Sequence, residues 1–517
     1  MPATHAPQTL HADPAGRTVR KHVVIAGAGP AGLACARAIM TGRPDLDVLL
    51  LEAGRPYRRR PCPVDKGFSC TGCGGVCNVV SGFGGSMHYG DGAKLSLLPS
   101  GRRLVSHLGD DRAQALCTTA FEWLTEPLAA RPPLLGQGLS PAAVSAFQAN
   151  SLRIREYPVA VLGESDLRRV IEGWYDLLTP AVGLWHLSEL TGAEPDGTGL
   201  RLQVRTGDGV RQLHTDHLVL ATGRRGVTST TALLDELGVV QQDPDISVGV
   251  RFEMAAGLLR AIGDEHPDLK ITQLGSVPVK TKTFCFCGGQ NGGRIKFTNY
   301  EGSFGDPVIT LDGHETTERP TGERALSANF GLLCQVQDRG SAYQARDSFL
   351  AAYRKLNGGR PVVQSLRSFL NRTSEPRRWA DLAARLPFTP SVQDLVTGRA
   401  DQLFTSAEHA SLAAGFRRLM DSILSHGGDG TGFEDLLDDV LVVAPEIEFL
   451  WPQPQIDATG KVPGLPVYVA GDAAGIAQGI VQGAMMGIAA GQDITRTHAD
   501  AATPAGPGRA PAGVTGR

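Results

Sequence analysis

Three groups of residues have types and spacings that could do chemistry. The first is the turn Gly27-Ala-Gly29-Pro30-Ala31-Gly32, with Glu52 twenty positions beyond its last glycine. The second joins four thiols, Cys62, Cys70, Cys73 and Cys77 (C-x7-C-x2-C-x3-C), to a glycine-rich run, Gly82-Phe-Gly84-Gly85-Ser86-Met-His88-Tyr-Gly90-Asp91-Gly92-Ala-Lys94. The third is dispersed: His314 in Leu311-Asp-Gly-His-Glu315, and Glu446 and Glu448 ahead of Pro452. Histidine and carboxylate side chains are the usual positioned proton donors and acceptors. His88, His314, Glu446 and Glu448 are therefore the catalytic candidates, although a lone histidine more often serves the fold than a reaction.

These groups need elements to hold them. His22–Ala26 is a short apolar run read as a buried strand, Leu33–Met40 has helical composition, and Val48–Leu51 is a second apolar strand ending at Glu52. A glycine turn between strand and helix, with an acidic residue closing the next strand, is the dinucleotide-binding βαβ pattern. Gly27 permits the tight turn, Gly29 lets backbone approach a pyrophosphate, and Gly32 lets the helix pack on the strand. The helix N-terminus, at Pro30 and Ala31, offers free N–H groups and a positive dipole end to phosphates. Glu52 would accept from ribose hydroxyls.

Two later segments match the same logic. Leu218-Val-Leu-Ala-Thr222-Gly223 is a strand ending in Ala-Thr-Gly. Val467-Tyr-Val-Ala-Gly471-Asp472-Ala-Ala-Gly475 is a strand ending in Gly-Asp, with a glycine-rich helix expected over Gly475–Gly491. The trio resembles the glutathione-reductase-like FAD proteins. That resemblance implies FAD as the bound cofactor, with Asp472 on the ribityl chain and the following helix, near Gly479 and Ile480, aimed at the flavin.

The thiol–glycine stretch, together with Phe284-Cys-Phe-Cys287-Gly-Gly289 and Gly479-Ile-Val-Gln482, is similar to a large bacterial family of FAD-dependent dehydrogenases, over about residues 22 to 492. The similarity implies a flavin oxidoreductase. It adds Gly84, Gly85, Ser86, Asp91, Gly92 and Lys94, beside Thr222 and Gly223, as residues lying against the flavin or its phosphates. The chain departs from the family pattern at Gly288, where proline is usual, and at Ala444-Pro-Glu-Ile-Glu448, so its substrate is expected to differ.

The expected fold is α/β: a Rossmann-like FAD-binding domain, βαβ with a central parallel sheet, carrying an inserted mixed α+β substrate domain. The expected boundaries are a disordered leader at 1–20, the FAD-binding domain at 21–228 with the Cys/Gly loop at 55–100, a substrate or cap domain at 229–440, the returning FAD-binding part at 441–496 and a disordered tail at 497–517. Alternating segments within 245–335 imply a second, mostly antiparallel sheet. Its Phe284, Phe286, Phe297, Tyr300 and Phe330 fit either an apolar pocket or plain core. Cys285 and Cys287, two apart on a strand, are expected to share a face.

Composition narrows the classes. The chain has 517 residues, 42% hydrophobic and 20% charged, with 50 basic and 53 acidic side chains and a net charge of -3. That balance gives no electrostatic reason to expect nucleic acid or an anionic membrane as partner. No apolar run reaches the length of a membrane span, and Met1–Arg20 lacks the apolar centre of a secretory signal. Nine cysteines, an odd and clustered set, argue against a disulfide framework. The expected compartment is the cytoplasm.

No second strand–glycine–helix fingerprint is found; neither Gly223-x-x-Gly226 nor Gly288–Gly293 fits. Electrons are expected to pass between flavin and a small-molecule substrate, transient NAD(P)H, oxygen or a redox partner protein. Three readings follow: a dehydrogenase of a small organic molecule, a specialised biosynthetic pathway being suggested by the departures from the family pattern; an aromatic flavin hydroxylase; and an electron-relay flavoprotein with a metal on the cysteine cluster. The bland reading of that cluster, reduced thiols in a packed loop and no metal, is preferred.

Overall fold

The computed structural model describes residues 19–73, 76–88, 92–273, 278–300, 304–305, 307–317, 326–336, 341–427, 430–449 and 452–502, with Val64, His88, Phe449 and 499–502 described by their backbone alone. Val23–Ala26, Val48–Glu52, Leu218–Leu220 and Val467–Val469 are buried throughout, as strands of a parallel sheet covered on both faces must be. They form one sheet with Gly183–His186, in the parallel order Gly183–His186, Val48–Glu52, Val19–Ala26, Gly209–Leu220, with Val467–Val469 beyond. The long strand Gly209–Leu220 does two jobs. Its second half carries the parallel pairings, while its first half extends antiparallel into Gly199–Thr206 and Glu189–Asp196.

Two helices cover this sheet and each other, Pro30–Gly42 and Ile480–Ala502. Gly483, Gly487 and Gly491 recur every fourth residue, which puts them on one face of the later helix. At Gly491 a β-carbon would lie 2.6 Å from Ala38 Cβ and 2.7 Å from the Cys35 carbonyl oxygen. The backbones meet because side chains are missing there.

A second sheet of eight strands runs in the order Val396–Thr397, Val362–Ser365, Leu441–Phe449, Ile246–Ala255, Ser327–Gln335, Thr281–Cys287, Lys270–Gln273, Leu152–Arg155. Every neighbouring pair except the first is antiparallel. Helix Ser406–Gly427 joins its apolar core, with the Phe416 ring 4.1 Å from that of Phe252 and stacked on that of Phe330. A separate hairpin, Gly293–Asn299 with Ile309–Glu315, shares a third apolar cluster with Cys62, Cys70, Cys77 and Val443.

Several expectations are corrected. Leu441–Phe449 and Leu152–Arg155, assigned by sequence to the first domain, belong to the second sheet. Apolar strands of either sheet look alike locally, and only the pairing partner decides. Val19 and Arg20 begin a strand, and 497–502 complete a helix; the rest of the expected leader and tail lies outside the described residues. The late helix starts at Ile480 rather than Gly475, after a 3-10 turn at Gly471–Ala474. Among the described residues, no helix is long and apolar enough to cross a membrane.

Candidate functional site

The three glycines of the first turn divide their work. Gly27 adopts φ +111°, and a β-carbon there would stand 2.2 Å from the Ala221 carbonyl oxygen; at Gly32 it would stand 1.9 Å from that of Gly27. Both positions are set by packing. At Gly29 a β-carbon would meet only Gly85 Cα, at 3.9 Å. This third glycine faces open space at the start of a helix whose first N–H groups have no helical acceptor.

Glu52 joins the turn to its surroundings. Its Oε2 accepts from the Ala28 N–H (2.9 Å), and its Oε1 accepts from the N–H groups of Gly54 (2.7 Å) and Gly82 (2.8 Å). Three backbone donors therefore engage the carboxylate expected to meet ribose, while it still borders the cavity. The glycine loop is pinned from the other side by Arg60, which the sequence reading missed. This buried guanidinium donates to the carbonyls of Asn78, Val79, Phe83 and Gly85 at 2.7–3.2 Å. Nothing local marks it among Arg58, Arg59 and Arg60.

The open space is a cavity of about 330 Å³ between the strand ends of the first sheet and residues of the second sheet and the Gly293–Glu315 hairpin. Gly27, Gly29, Pro30, Ala31 and Glu52 line it from the first turn, and Gly85, Ser86, Gly92 and Lys94 from the glycine loop. Thr222 and Gly223 line it after the strand Gly209–Leu220, Gly471, Asp472, Gly479 and Ile480 at the chain's return, His314 from the separate hairpin and Glu448 from the second sheet. Gly32 does not reach it, for the packing reason above. Gly84 does not either; its N–H donates to the Ala28 carbonyl, and a β-carbon would strike Ile171. Asp91 and the His88 side chain lie outside the described residues.

The N-terminal ends of both covering helices border this cavity, at Gly29–Pro30 and Gly479–Ile480. Arg224 and Arg225, directly after Ala221-Thr-Gly, stand on its wall. Arg225 pairs with Glu189 at 2.5 Å, and Arg224 lies 3.2 Å from Asp312 and 3.8 Å from Asp472. A glycine that opens space instead of filling it, two helix N-termini and adjacent cations form a cradle suited to a pyrophosphate.

Glu446 sits elsewhere than expected. It borders a smaller lobe of about 60 Å³ that shares Phe284, Cys285, Asp312 and Glu448 with the large cavity. Its Oε1 accepts from Arg251 at 2.6 Å. Burial pushes its pKa up to about 7 against the opposing Arg251 charge. Asp312 behaves in the opposite way: burial raises it, but Arg224, His314 and Arg251 outweigh that and hold it at about 2. Burial raises Glu448, and Lys282, 3.9 Å away, opposes the shift.

Cys285 and Cys287 do not share a face. The register slips between Phe284 and Cys287, and Cys285 takes φ +38°. This bulge breaks the alternation that the sequence implied. Phe284 and Cys285 border the cavity; Phe286 is core, and Cys287 is buried 3.5 Å from Lys94 Nζ. The aromatic set divides likewise: Phe284 and Tyr300 border the cavities, while Phe297 and Phe330 are core.

Lys94 donates to the carbonyls of Pro267 and Phe286 and stands 3.7 Å from Asp268 and 3.6 Å from Glu315. Burial works against its charge, yet Cys287, Asp268 and Glu315 hold its pKa above the usual range. Cys73 and Cys77 are hydrogen-bonded to each other through their side chains. Among the described residues, no group of three or more His, Cys, Asp or Glu is placed to hold a metal ion.

No family model matches the chain, and no curated protein matches it. Solved structures give distant similarities. p-Nitrophenol 4-monooxygenase PnpA from Pseudomonas putida DLL-E4 is 11% identical, with 94% of this chain and 82% of that one covered and a TM-score of 0.38. Pyridoxine 4-oxidase from Mesorbium loti is 14% identical, with 93% and 99% covered and a TM-score of 0.41. OxyS anhydrotetracycline hydroxylase from Streptomyces rimosus is 15% identical, with 94% and 64% covered and a TM-score of 0.36.

Proposed function

We propose that the chain is an FAD-dependent oxidoreductase that takes hydride from a small organic substrate. One observation carries the reading: Gly29, from the first turn, and Asp472, from the chain's return, border the same cavity. Bound there, FAD supplies an acceptor for two electrons.

The chain's own residues have separable tasks. The helix N-termini at Pro30 and Ile480 and the Arg225 guanidinium bind negative charge. Ser86, Gly85 and Gly29 give the backbone surface a diphosphate needs. Asp472 accepts from hydroxyl groups; burial raises its pKa, and Arg224 opposes that shift in part. Lys94 holds the glycine loop to the second sheet's neighbouring carbonyls. His314 and Glu448, at the opposite wall, take the proton that leaves the substrate. The second sheet and its helices set which substrate enters.

The experiment is purification followed by anaerobic mixing with a metabolite panel. A yellow protein bleached by one substrate class without NAD(P)H supports a dehydrogenase. NAD(P)H consumption coupled to oxygen uptake assigns a hydroxylase instead. A colourless protein that takes up no FAD removes the proposal.

A further inference from the structure

We infer, building on the oxidoreductase reading, that the molecule reacting with the flavin carries a phosphate ester. Arg102, Arg153 and Arg155 receive that group beside Lys270, which stands on the cavity wall. Leu152–Arg155 is the edge strand of the second sheet, and Lys270–Gln273 is its neighbour. Residues directly opposite each other on antiparallel strands share a face, as do alternate residues along one strand. Arg155 stands opposite Lys270, Arg153 opposite Thr272, and Thr272 opposite Lys282. Three neighbouring strands therefore present Arg153, Arg155, Lys270 and Lys282 on one face. Leu152, Ile154 and Ile271 alternate with them and pack into the apolar core on the other face. Arg102, opening the short helix Arg102–Leu108, joins the patch close enough to repel Arg155.

The arginines of this patch lack acceptors. Among the described residues, the guanidinium groups of Arg102, Arg153 and Arg155 make no hydrogen bond and no ion pair. The Arg155 Nε is buried without a partner. Burial and the repulsion of Arg102 and Arg153 press the Arg155 pKa below its usual range. Lys270 uses one donor on Ser100 Oγ, at 3.2 Å, and lies over the Tyr157 ring. The carboxylates around the patch are engaged elsewhere. Asp245 pairs with Arg103, Glu448 lies 3.9 Å from Lys282, and Glu156 accepts from the Leu139 N–H. Asp268, two residues before Lys270, accepts from Ser96 and Tyr157 and lies 3.7 Å from Lys94. Three guanidinium groups held together, one of them half-buried, destabilise the fold until an anion comes between them.

The number of cations selects the anion. A carboxylate brings one charge and two oxygens. A phosphate monoester brings about 1.5 to 2 negative charges and three strong acceptor oxygens, and planar guanidinium forks match its geometry. Position then selects the molecule. Lys270 borders the flavin cavity, and Arg155 is one strand farther out, about 5 Å across the ladder. A molecule anchored at the arginines passes Lys270 and places its other end in the cavity. Its phosphate belongs to the substrate or to a nicotinamide reductant bearing a 2′-phosphate.

The test is calorimetric titration of the purified full chain with phenyl phosphate, benzoate, NADPH and NADH, with flavin content read from the visible spectrum. Phenyl phosphate is expected to bind at least about tenfold more tightly than benzoate, the change one charged hydrogen bond brings, and to weaken as salt is raised. Arg155→Leu is expected to erase that preference with flavin content unchanged. Should Arg155→Leu not fold, Arg102→Ser and Arg153→Ser, both at exposed positions, decide, each with a several-fold loss for phenyl phosphate. A preference for NADPH over NADH that vanishes in the same variants assigns the phosphate to the reductant; equal binding of the two assigns it to the substrate. Equal binding of phenyl phosphate and benzoate, or parental affinity in the deciding variants, overturns the inference. A flavin-free chain whose phosphate preference is lost in the arginine variants sinks the oxidoreductase reading and keeps this one; a yellow chain without the preference does the reverse.

Discussion

Gly487 lies directly on Ala31: a β-carbon at Gly487 would stand 2.0 Å from the Ala31 carbonyl oxygen. Two helices separated by most of the chain touch at backbone distance, and their N-terminal ends border one cavity. Gly487→Leu is expected to push them apart, at about 1–3 kcal/mol or more, lowering the unfolding temperature and the bound flavin together. Gly483→Ala is the control. Its β-carbon would meet Gly471 and Ala31 at 3.8–3.9 Å, an ordinary contact, so stability should rise by up to about 1 kcal/mol from helix propensity. Thermal unfolding and visible absorbance of both variants check the pair.

Gly27 and Gly29 should separate folding from binding. Gly27→Ala places a side chain at φ +111° and 2.2 Å from Ala221, and is expected to yield little folded protein. Gly29→Val has room for its β-carbon, and the Gly29 backbone is extended, with φ -85° and ψ -175°. It should fold with a near-normal unfolding temperature and purify without chromophore, because its methyl groups occupy the cavity. Equal flavin content in Gly29→Val and the parent chain would contradict the site.

Arg60→Leu leaves four carbonyls of the glycine loop without their donor. Unmatched buried acceptors cost about 1–3 kcal/mol each, so a loss on the order of 3 kcal/mol is expected in urea unfolding even after water relieves some of them. Arg60→Lys should recover part of it, since an ammonium cannot reproduce the planar fork. A loss below about 1 kcal/mol for the leucine variant would mean that the loop is held by Glu52 and its own packing.

Glu315 gives a pH signature. Burial raises its pKa to about 7 from an ordinary 4.5, with Lys94 opposing. The folded state thus holds the proton more tightly than the unfolded chain does. Its contribution to stability is complete below about pH 4.5 and is lost as pH rises through about 7. The stability of the parent chain minus that of Glu315→Gln should fall across that window and level off above it. A difference that is flat or rises would contradict the assignment.

How much was legible in the sequence follows from how local each feature is. The turn at Gly27–Gly32 and the acid at Glu52 could be read because strand, glycines, helix and acid lie within one βαβ unit. Asp472 and Gly479 lie between one strand and one helix, an equally local pattern, and both border the cavity. The lobe around Glu446 was not legible. Gly313 and Gly331 make room for Arg251 and Glu446 from other strands, and no spacing announces that meeting. The bulge at Cys285 was hidden because alternation is the default for any apolar strand. The run at 441–449 was given to the wrong sheet because its apolar residues suit either.

The contact between the Pro30 and Ile480 helices also has a consequence in time. The ribosome releases Gly27–Gly32 long before Gly471–Ile480, so the nascent chain has no cavity until the later segment has followed the earlier one. Until then the outer edge of Leu218–Leu220 has no Val467–Val469 beside it, and the helix carrying Ala31 has a bare apolar flank. Unpaired edges and bare apolar flanks are what aggregation and chaperones both find. Synthesis of this chain therefore includes an interval in which its oldest motif is complete in sequence and unfinished in space.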